Sequence, residues 1–367
     1  MAFWQEILSN PRKLAATIAK PDIIFYCLPW LMVLIVLGTV TQKYVGLYAA
    51  TEKYINSFIW WLGPFPLPGG LLVIGIIFIA LFVKFLFFSK WNVKQSGIIL
   101  THLGVLLLLL GGIVTVLSGR EGFMIIPEGQ SINAVSDYRA RVLVFENKEN
   151  VITKFDFANL KNGQEVTAGE LNIKILDACP NASAQAPSGR YENLQALAVN
   201  MEIFCVPNEK NIEANFSGLV FAATNTKNGE SDGTYIVMED IPKNPVIDDV
   251  TIRLERQKED LPFSIQLQDF QKIDYPGTNK AQEFLSDIVI QDGNISWPVR
   301  ISMNEPLRYK GYSFFQSSFD QSSEVEVTVL NVVYNKGWIF PYISTLIIFA
   351  GLLVHFIMRL QTAGDKR

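Results

Sequence analysis

Histidine is nearly missing from this sequence: its 367 residues contain two, His102 and His355. Any imidazole chemistry is confined to those two positions. Cysteine is almost as scarce, with Cys27, Cys179 and Cys205 and no CxxC pair, which removes the argument for a dithiol redox motif. Charge is also thin. Charged residues make up 18% of the chain against 49% hydrophobic, and the mean hydropathy is +0.23. That is too apolar for one ordinary soluble domain.

The apolar residues are concentrated in four runs: Ile23 to Val40, Leu67 to Val83, Gly97 to Leu117 and Trp338 to Met358. Each approaches the roughly 20 residues that a helix rising 1.5 Å per residue needs to cross about 30 Å of hydrocarbon. Lys84 can snorkel to the interface while Phe85 to Phe88 prolong the second run. The chain therefore divides into a membrane region over 1–118 with spans near 23–42, 67–88 and 96–118, a water-exposed domain over 119–337, and a fourth span with a short tail over 338–367. Arg12, Lys13 and Lys20 precede the first span, Lys84, Lys90 and Lys94 separate the second from the third, and Arg359, Lys366 and Arg367 follow the fourth. Cytoplasmic flanks are enriched in such residues, so both termini are expected inside and the large domain outside. The run from Ile23 is too long for a signal peptide and lacks a cleavage site at Leu47 to Ala50, so the first helix is expected to remain. The aromatic stretch Tyr54 to Trp61 is expected to lie along the outer leaflet as an anchor.

The segment from Ser118 to Gly337 carries 20 Lys and Arg against 31 Asp and Glu. An acidic surface argues against nucleic acid as a partner. Short β-prone runs broken by Asn, Gly, Asp and Pro predict a mostly β domain, either a sandwich or a partial barrel. Candidate strands include Arg141 to Phe145, Val151 to Phe157, with Glu146 to Asn150 as their loop, Leu171 to Leu176, Leu197 to Val206, Gly218 to Thr224, Thr251 to Arg256, Phe263 to Lys272 and Val325 to Tyr334. Pro180 to Arg190 reads as a loop. Cys179 and Cys205 either form a disulfide or remain two buried thiols, and their spacing does not decide.

Both histidines fall inside predicted spans. His102 lies five residues beyond Gly97 on a helix running outwards, and His355 lies three before Met358 on the returning helix. The rise per residue places them roughly 8 Å and 5 Å from the cytoplasmic edge, at nearly one depth. An ionisable side chain in lipid is costly without a partner and is a functional candidate for that reason. Two neutral imidazoles facing each other can ligate one haem iron, so a haem b between the third and fourth helices is the sharp expectation, against separate hydrogen bonds to neighbouring helices. Gly104, Gly111, Gly112, Ala350 and Gly351 would let a macrocycle or a neighbouring helix approach.

The string Pro306-Leu307-Arg308-Tyr309-Lys310-Gly311-Tyr312-Ser313-Phe314-Phe315-Gln316-Ser317-Ser318-Phe319-Asp320 resembles the ResB family of cytochrome c biogenesis proteins. The resemblance extends through Pro262 to Ile265, Glu283 to Asp287, Gly337-Trp338 and Pro341 to Leu346, and the layout of three helices, a large domain and a fourth helix agrees with it. It implies a bacterial cytoplasmic-membrane protein that works with a CcsA-type partner to move haem outwards and attach it to apocytochrome c. For His102 it implies a transmembrane haem ligand; the partner could replace His355 as the opposing one. The chain has neither the partner's tryptophan-rich segment nor a histidine outside its spans, so it is not expected to attach haem unaided and no residue is assigned a catalytic role. Residues Tyr309 to Phe315 read as a tight turn and a packed strand rather than a contact to haem or apocytochrome. The competing readings are a haem b membrane electron-transfer subunit and a scaffold without a cofactor.

Overall fold

The computed structural model describes residues 11–364 apart from 148–150, 225, 228, 242, 279 and 321–324. The far end of the loop after Glu146, and the tail residues Lys366 and Arg367 used above for orientation, lie outside the described residues. The chain separates into Met1–Gly119 with Tyr334–Arg367, and Arg120–Val333.

Among its described residues the first unit holds six α-helices: α1 Pro11–Ile18, α2 Pro21–Val45, α3 Leu47–Tyr54, α4 Gly70–Phe88, α5 Ser96–Ser118 and α6 Phe340–Gly364. Four of these, α2, α4, α5 and α6, are long and apolar enough to cross a membrane. Their apolar residues are distributed all round, as expected of helices whose surroundings are lipid. Pro21 opens α2 at a position where its missing N–H costs nothing. The second span starts at Gly70 and not at Leu67, because Phe65–Pro68 pairs with Ile59–Leu62 in a β-hairpin. This hairpin contains Ile59 to Trp61 of the aromatic stretch Tyr54 to Trp61. Trp60 from the hairpin and Tyr54 pack inwards on Leu34, Val73 and Ile77, and the Trp30 indole N–H donates to the Pro68 carbonyl at 2.8 Å.

α5 and α6 are antiparallel and touch along a seam of small residues. A Cβ on Gly97 would fall 2.4 Å from the His355 backbone nitrogen, one on Gly104 would fall 3.0 Å from the Ile348 nitrogen, and one on Gly351 would fall 2.6 Å from the Thr101 nitrogen. Such backbone proximity is the packing that glycine permits in lipid, where no hydrophobic effect draws helices together. At the far end of the seam the Thr115 hydroxyl donates to the Asn335 side chain at 3.1 Å.

The second unit is antiparallel β structure without a closed barrel. A four-stranded sheet has the order Gly233–Met238, Gly218–Thr224, Leu171–Cys179, Glu165–Ala168. A ten-stranded sheet runs from Ile295–Ser302 through Ala281–Asp292, Val250–Asp274, Ser131–Glu146, Arg120–Pro127, Val327–Tyr334 and Tyr312–Asp320 to Leu307–Tyr309, with Val151–Asp156 and Val246–Ile247 attached at its sides. The strands expected separately at Thr251 to Arg256 and Phe263 to Lys272 are one continuous element. Register shifts between Arg256 and Lys258 and between Asp260 and Ile265 take up Pro262 and let the strand bend. Two cores result. In one, Phe145, Leu143 and Leu254 of the large sheet pack on Ile175, Leu219 and Phe221 of the small sheet. In the other, the wrapped end of the large sheet encloses Phe263, Ile265, Ile288, Phe314 and Leu330.

The predicted strand from Leu197 to Val206 is a 3₁₀ turn at Ala196–Val199 followed by a strand at Glu202–Cys205, and the predicted loop from Pro180 contains the strand Ala182–Gln185 that pairs with it. A Cys179–Cys205 disulfide ties this pair to the small sheet, settling the choice the spacing left open.

An ion cluster invisible in the sequence joins the two sheets. Arg141, 6% exposed, donates its Nε to Glu239 at 3.1 Å and its other nitrogens to the carbonyls of Tyr138, Arg139 and Asn215. Glu239 also accepts the Ser217 N–H at 2.8 Å and lies 3.7 Å from Arg256, whose guanidinium covers the Phe123 ring. The cost of burying these charges is offset because each is paired and hydrogen-bonded.

Candidate functional site

His102 is half-buried on α5 and His355 half-buried on α6. The Nδ1 of His102 lies 2.8 Å from the Ile98 carbonyl one turn earlier. A carbonyl can only accept, so this contact selects the tautomer with the proton on Nδ1. The Nε2 lone pair is left free, the form in which imidazole ligates iron.

The seam register corrects the matched depth. Gly97 stands against His355 and Gly104 against Ile348, which puts His102 level with Ala350. Five residues separate Ala350 from His355, or about 7.5 Å along the helix. The single span lengths used above concealed this offset, because they assumed that each helix meets the membrane edge at the end of its apolar run.

Rotation about α5 separates the pair further. Gly97, Thr101, Gly104, Gly111 and Thr115 form the face against α6. His102 shares its face with Leu106 and Leu109 at the i, i+4, i+7 spacing of one helical stripe. Leu106 is buried, and Leu109 packs on the cluster formed by Leu34, Tyr54, Trp60, Val73 and Ile77 from α2, α3, the hairpin and α4. His102 is therefore on the side of α5 turned away from α6, whereas the backbone of His355 is part of the seam. Of the glycines expected to admit either a macrocycle or a helix, Gly104, Gly111 and Gly351 are occupied by the facing helix, while a Cβ on Gly112 would meet nothing within 4 Å. No slot for a planar haem exists between α5 and α6 at Gly97. The two histidines therefore do not face each other across the seam.

The string around Tyr309 forms a hairpin. Leu307–Tyr309 pairs with Tyr312–Asp320, and Lys310 and Gly311 turn with φ of 48° and 85°, left-handed values that favour glycine at the second position. Tyr309, Tyr312 and Phe314 surround Phe263 edge-on, with ring centroids 4.9, 6.2 and 6.1 Å away, and Trp297 from the opposite edge strand contacts Tyr309 at 5.2 Å. Asp292, at the end of the neighbouring hairpin, accepts from both the Tyr309 hydroxyl and the Lys310 ammonium. Lys310 first, then Tyr309, hold its carboxyl below the usual range, and the same carboxylate raises the Tyr309 hydroxyl. These residues close the wrapped sheet with side chains at the point where backbone pairing stops. The packing role read from the sequence is the one the structure gives them. In the same region the buried Ser286 and Thr328 form a hydrogen-bonded trio with the half-buried Gln316, which the sequence did not reveal.

Four candidate spans and a β-rich insert between the third and fourth define an integral membrane protein with a large water-exposed domain. Residues 218–337, about a third of the chain, match the model of the ResB-like family. The matched residues contain the Tyr309 hairpin, its partner Asp292 and the whole of the long strand Val250–Asp274; both histidines lie outside them. Protein NrfI of Wolinella succinogenes is 26% identical over 267 residues, a stretch covering 69% of this chain and 26% of that protein. The chain thus spans about a quarter of its relative's length.

Proposed function

We propose that this chain is a membrane subunit of a cytochrome c maturation system, holding haem in transit and delivering it for attachment to apocytochrome c beside a CcsA-type partner. The ResB-like segment supports the maturation role. The observation that carries the haem reading is His102, an intramembrane imidazole whose Nδ1 is engaged by Ile98 and whose Nε2 is free. Bound haem b would supply the cargo, and His102 would supply one axial nitrogen. Because the face bearing His102 is turned from α6, the opposing ligand is assigned to the partner; His355 in that role would require α5 and α6 to part at Gly97. The positive flanks support cytoplasmic termini and an extracytoplasmic β domain.

The test is the absorption spectrum of protein purified with and without the partner, for wild type, His102→Ala and His355→Ala. The proposal expects loss of haem in His102→Ala and its retention in His355→Ala. Loss in both would restore His355 as the opposing ligand. No haem in any preparation, or normal c-type cytochromes in a deletion strain, would overturn the role.

A further inference from the structure

The hairpin between α2 and α4 has a surface that the helices do not use. Its inner face sends Trp60 and Leu67 into the packing with Leu34, Val73 and Ile77. Its outer face and tip carry Ile59, Trp61, Leu62 and Phe65, which are 50%, 60%, 56% and 66% exposed. Trp61 stands opposite Pro66 and Ile59 opposite Pro68, so this face contains no polar side chain. No Asp, Glu, Lys or Arg occurs between Lys53 and Lys84. A two-stranded hairpin with both faces apolar is not stable in water by itself.

The hairpin is also held firmly in place. Its last carbonyl, on Pro68, receives the Trp30 indole, and the following Gly69 is so close to Ser57 that a Cβ would fall 2.2 Å from the Ser57 carbonyl oxygen. The outer face is thus a fixed plate level with Trp30, within α2, and with the start of α4. It leads directly into α4, and the exposed surfaces of α4 and of α2 near Trp30 are apolar, with Ile79 and Met32 53% and 66% exposed.

We infer that the outer face of this hairpin is a lipid-binding surface, seated in the interfacial layer of the bilayer. Tryptophan, phenylalanine and proline without charge suit that layer, where the indole edge can meet headgroups and the ring can meet acyl chains. The occupant is the bilayer rather than a protein, because the plate leads directly into α4 where that span begins and the exposed helix surfaces beside it are apolar. Its role is to fix the depth and tilt of α2 and α4. This inference does not depend on haem binding.

The test uses the full chain with Cys27→Ser, carrying Trp61→Cys or Phe65→Cys and a nitroxide label, in liposomes of phosphatidylcholine and phosphatidylglycerol. Both positions are exposed, so the label displaces no packing. Power saturation compares collisions with oxygen and with a water-soluble nickel complex, and Ile79→Cys serves as the membrane reference. Oxygen collisions exceeding those with nickel several-fold at both hairpin sites are expected, with apparent depths shallower than at Ile79. Nickel access equal to that of a soluble loop would overturn the inference in favour of a hydrated surface. Protection from both reagents would also overturn it, in favour of a second copy or another protein covering the plate.

Discussion

Removing Glu239 should destabilise the β domain more than removing any exposed charge. Its carboxylate side chain is 3% exposed and its Arg141 partner 6%, so neither ion is appreciably hydrated. In Glu239→Ala the Arg141 Nε and the Ser217 N–H lose their acceptor together, while Arg256, 13% exposed, loses its nearest anion. Breaking one side of a buried pair costs about 3–5 kcal/mol, a large share of the roughly 5–15 kcal/mol that holds a domain folded. Arg256 retains the Phe123 ring and the Tyr138 and Glu213 carbonyls, which keeps the loss within that range. Replacing both partners by Arg141→Met with Glu239→Leu should not recover the stability, because three carbonyls would then lack the Arg141 donor. The assay is hydrogen exchange of the full chain in detergent, followed in peptides from 141–146 and 233–239. Accelerated exchange equivalent to about 3 kcal/mol or more is expected in both strands. A change below about 1 kcal/mol, the scale of solvated surface pairs, would refute the reasoning that this cluster is desolvated.

The pH dependence at the alkaline end should report Tyr138. Burial first, then the Glu213 carboxylate, push its hydroxyl from 10 to about 12, so the folded state keeps a proton that the unfolded state releases. This contribution is complete below pH 10 and is lost as pH rises through about 12, amounting to at most roughly 2.7 kcal/mol; Tyr138→Phe should flatten the fall in urea titrations over that interval. Replacing Cys179 and Cys205 by alanine frees a loop with a sequence separation of 26, and chain entropy predicts a loss of about 3.5 kcal/mol, measurable by the same titrations. Gly104→Leu would place its Cβ 2.6 Å from the Ile348 side chain and should cost about 1–3 kcal/mol, seen as faster exchange in α6; unchanged exchange would show that the seam is not closely packed.

The four spans were legible because hydrocarbon thickness demands a length of apolar chain that no other feature imitates. The β character of the insert was legible from short β-prone runs, although its boundaries were not. Pro262 looked like a break between two strands, yet register shifts on both sides absorb it. Gly233 to Met238 and Ser131 to Glu146 looked like ordinary neighbours of polar loops; Arg141 in the second and Glu239 just after the first gave no sign that they pair. The disulfide required coordinates because two cysteines specify no geometry. For the histidines, rise per residue supplied an approximate depth but not rotation. One signal for rotation was present in the sequence: Gly97, Thr101, Gly104, Gly111 and Thr115 repeat at helical spacing, and His102 is off that stripe.

That stripe connects the membrane unit to the chain's topology. A large insert separates α5 from α6 in sequence, and closing such a long loop carries an entropic cost that grows slowly with its length. The helices therefore need a contact strong enough and specific enough to restore one register after the insert. Glycine supplies the specificity, since opposing backbones approach at Gly97, Gly104 and Gly351 and a slip by one residue would present larger side chains to each of them. The Thr115 to Asn335 hydrogen bond fixes the same register where the chain leaves α5 and returns towards α6. Tight closure also has a chemical consequence. A pair of helices locked backbone to backbone cannot hold a flat ligand between them, so a ligand bound through His102 must meet the opposite face of α5, where Leu106 and Leu109 mark the same stripe. The topology that returns the two helices to each other thus sets their histidines on different surfaces.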